Sequence, residues 1–287
     1  MSQNATQASL PASIEAGIVY LVYTGEAPVF HQSLSAAERM AMAGQREKKV
    51  MTIRNGRPNA GKFSLDVEGF AFGEHATKVT DFFDEKQISS IYTPEVEKLV
   101  AKHTGASKVI VFDHTRRSSD AATREKQNAR DPVSAAHADY NDNSAKQRLR
   151  DVLGDKAEAR MGKRFSIINV WRSMNSVIQE WPLAVCDART INDSLLYSTV
   201  RHAPMRAEPS FEYSRASETR HAAYDANNKW FYFPDMNRNE ALLFKNYDTL
   251  TDGTARYSMH TAFEDPNTPA KPAPRESIES RVFAFYD

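Results

Sequence analysis

Arg275-Glu276-Ser277-Ile278-Glu279-Ser280-Arg281-Val282-Phe283-Ala284-Phe285-Tyr286 closes the chain with a run whose side chains alternate in character. Every second residue of an extended segment faces the same side, so a final strand over 275–286 turns Arg275, Ser277, Glu279, Arg281, Phe283 and Phe285 to one face. Working outward, short segments rich in β-branched and aromatic residues recur between turn formers at 17–24, 50–54, 107–113, 165–172, 219–224, 229–234, 241–246, 257–263 and 278–286. Such spacing suits an antiparallel sandwich. Helical patterns gather in the first half, at 34–48, 77–90, 94–104 and 144–156. The third opens on Thr93-Pro94, a capping hydroxyl followed by a proline whose missing N–H costs nothing in the first turn. Helices early and strands late point to an α+β fold in which helices buttress a β-core.

A chain of 287 residues can bury a large core, and one domain over 13–287 is expected. Residues 1–12 are small and polar with nothing to bury, and are expected to be a disordered tail. Lys plus Arg and Asp plus Glu both total 37, and no basic run interleaved with aromatics offers a track for nucleic acid. A small-molecule substrate is the expected partner. The first apolar run, Ile18 to Tyr23, is too short for a signal or a membrane span, so neither is expected. Cys186 is the only cysteine, which excludes an internal disulfide and any multi-cysteine metal site and suits reducing cytoplasm. Next to Asp187 it reads as a buried small hydrophobe rather than a nucleophile. Residues 115–135 mix Arg116, Arg117, Asp120, Arg124 and Arg130 with Ser, Ala and Pro and lead into His137; they read as a solvated loop or as a lid. The Pro-rich stretch 265–274 cannot be helix.

The chemistry rests on His137-Ala138-Asp139, answered far downstream by His260. With eight histidines and about one residue in eight acidic, roughly one His-x-Asp/Glu arises by chance, so the triplet alone decides nothing. Its context gives it value. In an extended segment His137 and Asp139 point to one side and Ala138 to the other, and a third ligand from a distant strand closes the face. Two neutral imidazoles and one carboxylate hold iron(II) on one side and leave positions open for a 2-oxo acid and dioxygen. Arg275 then offers a planar fork to the far carboxylate of a dicarboxylate lying on that metal, with the Ser277 hydroxyl beside it. Arg281 is the alternative anchor, unless Glu279 holds it in a salt bridge. His114, His202 and His221 have no acidic residue at ligand spacing and read as structural.

Several ordered blocks carry a resemblance: Val111-Phe-Asp-His-Thr-Arg116, Ala136-His-Ala-Asp139, Ile168-Asn-Val-Trp-Arg172, Gln179-Glu-Trp-Pro-Leu-Ala-Val-Cys-Asp-Ala-Arg189, His260-Thr-Ala-Phe-Glu-Asp-Pro266 and Pro274-Arg-Glu-Ser-Ile-Glu-Ser-Arg281. Over residues 15–287 the chain resembles the hydroxylase/desaturase family that includes the aspergillic-acid pathway hydroxylase and the cephamycin methoxylase subunit. That resemblance implies a double-stranded β-helix, or jelly roll, which uses iron(II), 2-oxoglutarate and O2 on a secondary-metabolite or amino-acid-derived substrate. It assigns the metal to His137, Asp139 and His260 and the cosubstrate carboxylate to Arg275. The family often reads Trp-Arg-Pro where this chain has Trp171-Arg172-Ser173, which puts the turn after that strand in doubt. Asn169, Trp171, Arg172 and Trp181 are the substrate-pocket candidates, Arg172 foremost; Asp187 and Arg189 read equally well as a salt bridge. Hydroxylation, desaturation and ring closure all remain open. So do a homo-oligomer, a helper subunit of a two-protein oxygenase, and a jelly-roll isomerase or lyase that ignores the oxo acid.

Overall fold

The computed structural model describes residues 10–26, 28–31, 44–175, 177–202 and 216–287. Its strands in the first half are β1 (Ser13–Val22), β2 (Val29–His31), β3 (Gln45–Asn55), β4 (Phe70–Glu74), β5 (Lys108–Ser118) and β6 (His137–Ala138). The second half adds β7 (Phe165–Ser173), β8 (Leu183–Cys186), β9 (Leu196–His202), β10 (Ala216–Ala222), β11 (Trp230–Tyr232), β12 (Glu240–Asp248), β13 (His260–Ala262) and β14 (Glu276–Phe285). They form a large sheet in the order β1-β3-β11-β8-β13-β6-β10-β9-β2 and a small sheet in the order β4-β12-β7-β14-β5. Together they build the jelly-roll core, with helices added, of an α+β protein.

The small sheet is sandwiched, and its sequence shows why. Every residue of β7 and β12 is buried. One parity of this sheet packs on helix α1 (Thr93–Thr104): Ile168, Val170, Leu243, Ile278, Val282 and Ala284 cluster with Val96, Leu99 and Val100. The other parity faces the large sheet, where Trp171, Leu242 and Phe244 meet Leu183 and Val185. A run buried on both faces loses the polar alternation of a half-solvated strand. Helix α2 (Ala121–Gln127) follows β5, and helix α3 (Asp142–Leu153) follows the His137 strand. Asn141 opens α3 with a capping box: its side chain accepts from the Ser144 N–H while the Ser144 hydroxyl accepts from the Asn141 N–H. Beyond it lies the short α4 (Glu158–Met161).

A second core sits between the β1–β3 pair and the remaining strands of the large sheet. Ile14, Ile18, Tyr20 and Ile53 pack with Ala184, Cys186, Trp230 and Met259, and the Trp230 indole N–H donates to the Tyr20 hydroxyl at 2.8 Å. Cys186 is buried there, and burial pushes its thiol pKa up to about 12, which makes it inert as a nucleophile. No helix among the described residues is long and apolar enough to cross a membrane.

Three expected elements are corrected. Of the helix expected at 34–48, residues 34–43 lie outside the described residues, and 45–48 are strand, paired antiparallel with β1 from Val22↔Gln45 to Ser13↔Arg54. Cross-strand pairing overrides a local helical pattern there. Of the helix expected at 77–90, helical structure starts only at Glu85, passes through a π turn at Ile88–Tyr92 and continues as α1. Thr77 and Asp81 accept from the backbone N–H groups of Val79 and Phe83, which competes with helix before that point, and Asp84 accepts from the Lys86 N–H as the cap that starts it. The stretch 115–135 is not all loop, since it holds the end of β5 and α2. The tail expected at 1–12 lies outside the described residues as far as residue 9.

Ile168, fully buried between β14 and β12 and packed on α1, tests this layering. Ile168→Ala should cost about 2–5 kcal/mol in a urea or thermal melt; a change below about 0.5 kcal/mol would contradict the packing.

Candidate metal centre

Two cross-strand rows, one from each sheet, meet in the interior. In the large sheet His260 lies opposite His137, and His137 opposite His221. In the small sheet Asp113, Arg281, Asn169 and Phe244 stand side by side across β5, β14, β7 and β12. Residues directly opposite share a face, so each row presents one edge of side chains. The rows touch: the Phe244 and His260 rings are 4.6 Å apart between centroids. Asp139, one residue beyond β6, lies between them.

His137 Nε2 is 3.4 Å and His260 Nε2 3.9 Å from Asp139 Oδ1. One donor atom from each residue lies within 4.8 Å of the others. Adjacent donors on an octahedral ion stand about 3 Å apart, so the three need close only slightly to share one. Their protonation suits the task. Nδ1 of His137 is 2.7 Å from the Ala135 carbonyl, which fixes the proton on Nδ1 and leaves the Nε2 lone pair for a metal. Burial, with His137 next to it, holds the His260 pKa well below the usual imidazole value, so this ring is neutral near pH 7. Burial alone would raise the Asp139 carboxyl, but Arg281 and the two histidines outweigh it and drive the pKa well below the carboxylate range. The donor set therefore fits a divalent ion with positions left open, and the buried His260 Nδ1 has no hydrogen-bond partner among the described residues.

The other oxygen of Asp139 belongs to the small sheet. Oδ2 accepts from Asn169 Nδ2 and from Arg281 Nε, both at 3.0 Å. The Asp139 N–H donates to Asn246 Oδ1 at 2.9 Å, next to the bulge of β12. Arg281 is fully engaged: its terminal nitrogens also donate to Asp113 at 2.5 Å, Thr115 at 3.0 Å and Glu279 at 2.6 Å. It has no fork left for a cosubstrate, which corrects the reading of Arg281 as an alternative anchor. The reason is the Glu279 salt bridge weighed against that reading, joined by two further carboxylates.

Arg275 differs. It is buried beside the Trp171 ring, with Nε 3.2 Å from Ser277 Oγ and Nη1 2.5 Å from the Trp181 carbonyl, and no carboxylate among the described residues lies within ion-pair distance. Burial and the neighbouring Arg117 pull its pKa down, the mark of a cation short of counter-charge. One narrow pocket is lined by Arg275 together with Arg117, Val133, His137, Leu183, His260, Ala262 and Glu279.

The substrate candidates separate. Trp171 and Asn169 face the interior, Asn169 being spent on Asp139. Trp181 takes a left-handed φ of 49° and turns its carbonyl to Arg275. Arg172 is corrected: it has the parity of Ile168 and Val170, so it lies on the helix side, donating to the His75 and Arg238 carbonyls over the Tyr92 ring. Arg189 and Asp187 form the alternative salt bridge, at 2.6 Å. His114 is satisfied by Thr93 and Ser280 away from the site. His221, read as structural, is buried with Nδ1 2.9 Å from the Thr199 hydroxyl, and its ring lies 5.8 Å from that of His137; the His202 side chain lies outside the described residues. Arg117 and Asp113 were missed as site residues. The signal was parity, because Asp113, Thr115 and Arg117 face Arg281, Glu279 and Ser277 once β5 is extended to Ser118.

A family model described as an oxidoreductase/YMDC permease-like domain matches residues 18–285. The hydroxylase/desaturase CTB9 of Cercospora beticola is 36% identical over 254 residues, which cover 84% of this chain and 78% of that protein. The Fe(II)/2-oxoglutarate-dependent dioxygenase nvfI of Aspergillus novofumigatus is 31% identical over 240 residues, 81% of this chain and 82% of the relative. Among solved structures, the iron and alpha-ketoglutarate-dependent endoperoxidase NvfI aligns with a TM-score of 0.82 at 25% identity, over 96% of this chain and 98% of that one. Identity of this order along most of the sequence, carried on a shared backbone, assigns the chain to the hydroxylase/desaturase family of iron(II)/2-oxoglutarate-dependent dioxygenases.

Proposed function

We propose that His137, Asp139 and His260 hold the ferrous ion and that Arg275 with Ser277 receives the distal carboxylate of 2-oxoglutarate. One observation carries this reading: both imidazoles share a pocket with a buried guanidinium that has no carboxylate partner among the described residues. A buried cation is costly alone and favourable once an anion meets its fork through two charge-assisted bonds. The Ser277 hydroxyl accepts from Arg275 Nε and keeps its own proton to donate to the same carboxylate. Bound there, iron with 2-oxoglutarate and dioxygen supplies oxidation of an unactivated C–H bond while the oxo acid leaves as succinate and carbon dioxide.

The chain's own groups decide what is oxidised. Val133, Leu183 and Ala262 give the pocket apolar walls, and Arg117, opposite Ser277 on β5, adds a second cation at its edge. We take the substrate to be a small secondary-metabolite or amino-acid-derived molecule, and the outcome as hydroxylation, desaturation or ring closure according to how far its C–H bond is held from the metal. Val133 belongs to the 115–135 segment, whose part beyond β5, residues 119–135, we propose as the lid. The lone buried thiol fits a cytoplasmic setting.

His137→Ala and His260→Ala should each lose bound iron and abolish succinate formation; native-rate succinate from either variant would remove the metal assignment. Arg275→Gln should raise the KM for 2-oxoglutarate roughly 10- to 100-fold, the loss of about 1.5–3 kcal/mol of charge-assisted hydrogen bonding, with iron content unchanged. Product formation that is indifferent to 2-oxoglutarate would point instead to an isomerase or lyase.

A further inference from the structure

We infer that Arg281, held by Asp113 and Glu279, is a positioning residue that aims the metal-binding oxygen of Asp139. The inference rests on the triad reading above and goes beyond it, because none of Arg281, Asp113 and Glu279 donates to the metal.

The geometry carries it. A carboxylate can turn about its last bond and offer either oxygen, or both. Here Oδ2 is tied to two donors on neighbouring strands, Arg281 and Asn169, which are themselves cross-strand partners. Only Oδ1 is left toward the imidazoles, so Asp139 is set to bind through one oxygen. Arg281 cannot swing away, because Asp113 grips Nη1 and Glu279 grips Nη2 from its two sides. The Asp139, Glu279 and Arg281 side chains are nearly buried, at 11%, 4% and 13% exposure, so their charges are weakly screened.

Simple attraction and positioning make opposite forecasts for the loss of Arg281. Removing a positive charge strengthens attraction for a cation; releasing Oδ2 lets the carboxylate rotate and weakens the site. Outer hydrogen-bond partners of metal ligands are typically worth 10- to 100-fold in affinity, and the structure assigns Arg281 to this kind of role.

Cobalt(II) titration of the full chain, without oxo acid or substrate, reads this through the dissociation constant and the visible d–d spectrum. Arg281→Gln should bind cobalt roughly 10- to 100-fold more weakly with an altered spectrum, and Arg281→Lys should recover only part of the affinity, since an ammonium cannot span three carboxylates. Binding as tight as the unmodified chain, or tighter, with an unchanged spectrum would overturn the positioning role. Glu279→Gln, which keeps an acceptor for Arg281 and is the gentler change if Arg281→Gln does not fold, should weaken cobalt roughly 10-fold. Unchanged or tighter binding there would overturn the part of Glu279 in holding Arg281 in place. Failure of the unmodified chain to bind cobalt would instead strike the triad reading, so the two failures are distinguishable.

Discussion

The carboxylate of Asp139 joins the two sheets, and the rest of the site is arranged around that junction. One oxygen faces the imidazoles of β6 and β13; the other is tied to β7 and β14. A charge at that depth persists only with directed partners on every side, and these come from strands that are distant in sequence. The sandwich must therefore close in one register for the donors to converge. A slip of one residue in β14 would turn Arg281 toward the helices and bring Ser280 or Val282 inward.

The arginines of this region show how one residue type is given different work by its surroundings. Arg281 is saturated by carboxylates and acts on Asp139. Arg275, one residue before the same strand, is met by a hydroxyl, a carbonyl and an indole face, so its charge is left for something that enters the pocket. Arg172, fully buried as well, is turned to the opposite face and bonds carbonyls beneath α1. Side chain identity does not separate these roles; the neighbours across each strand do.

Much of this was legible in the sequence, and the misses have physical reasons. The parity of 275–286 holds through the whole of β14, because the register shift opposite Arg281 and Val282 is taken up by β5. Parity also brought His137 and Asp139 to one side and could have excluded Arg172, which alternates with Asn169 and Trp171. Which of Arg275 and Arg281 is free could not be read, since both share a face and only the placement of Asp113 and Glu279 tells them apart. Strands β2, β4, β8 and β9 escaped notice, the first three being three to five residues long and β9 seven, and all lacking a clear alternation. Short strands take their stability from neighbours rather than from propensity.

The central claim is that a metal held by His137, Asp139 and His260 shares one pocket with a cosubstrate carboxylate on Arg275. An anaerobic titration of the purified chain with iron(II) and then 2-oxoglutarate tests it most directly, by following visible absorption from the metal to the chelating oxo acid. A band that grows to saturation at one equivalent of each is the expected result. No band with either component in excess, from protein that is folded and supplied with both, would contradict the account.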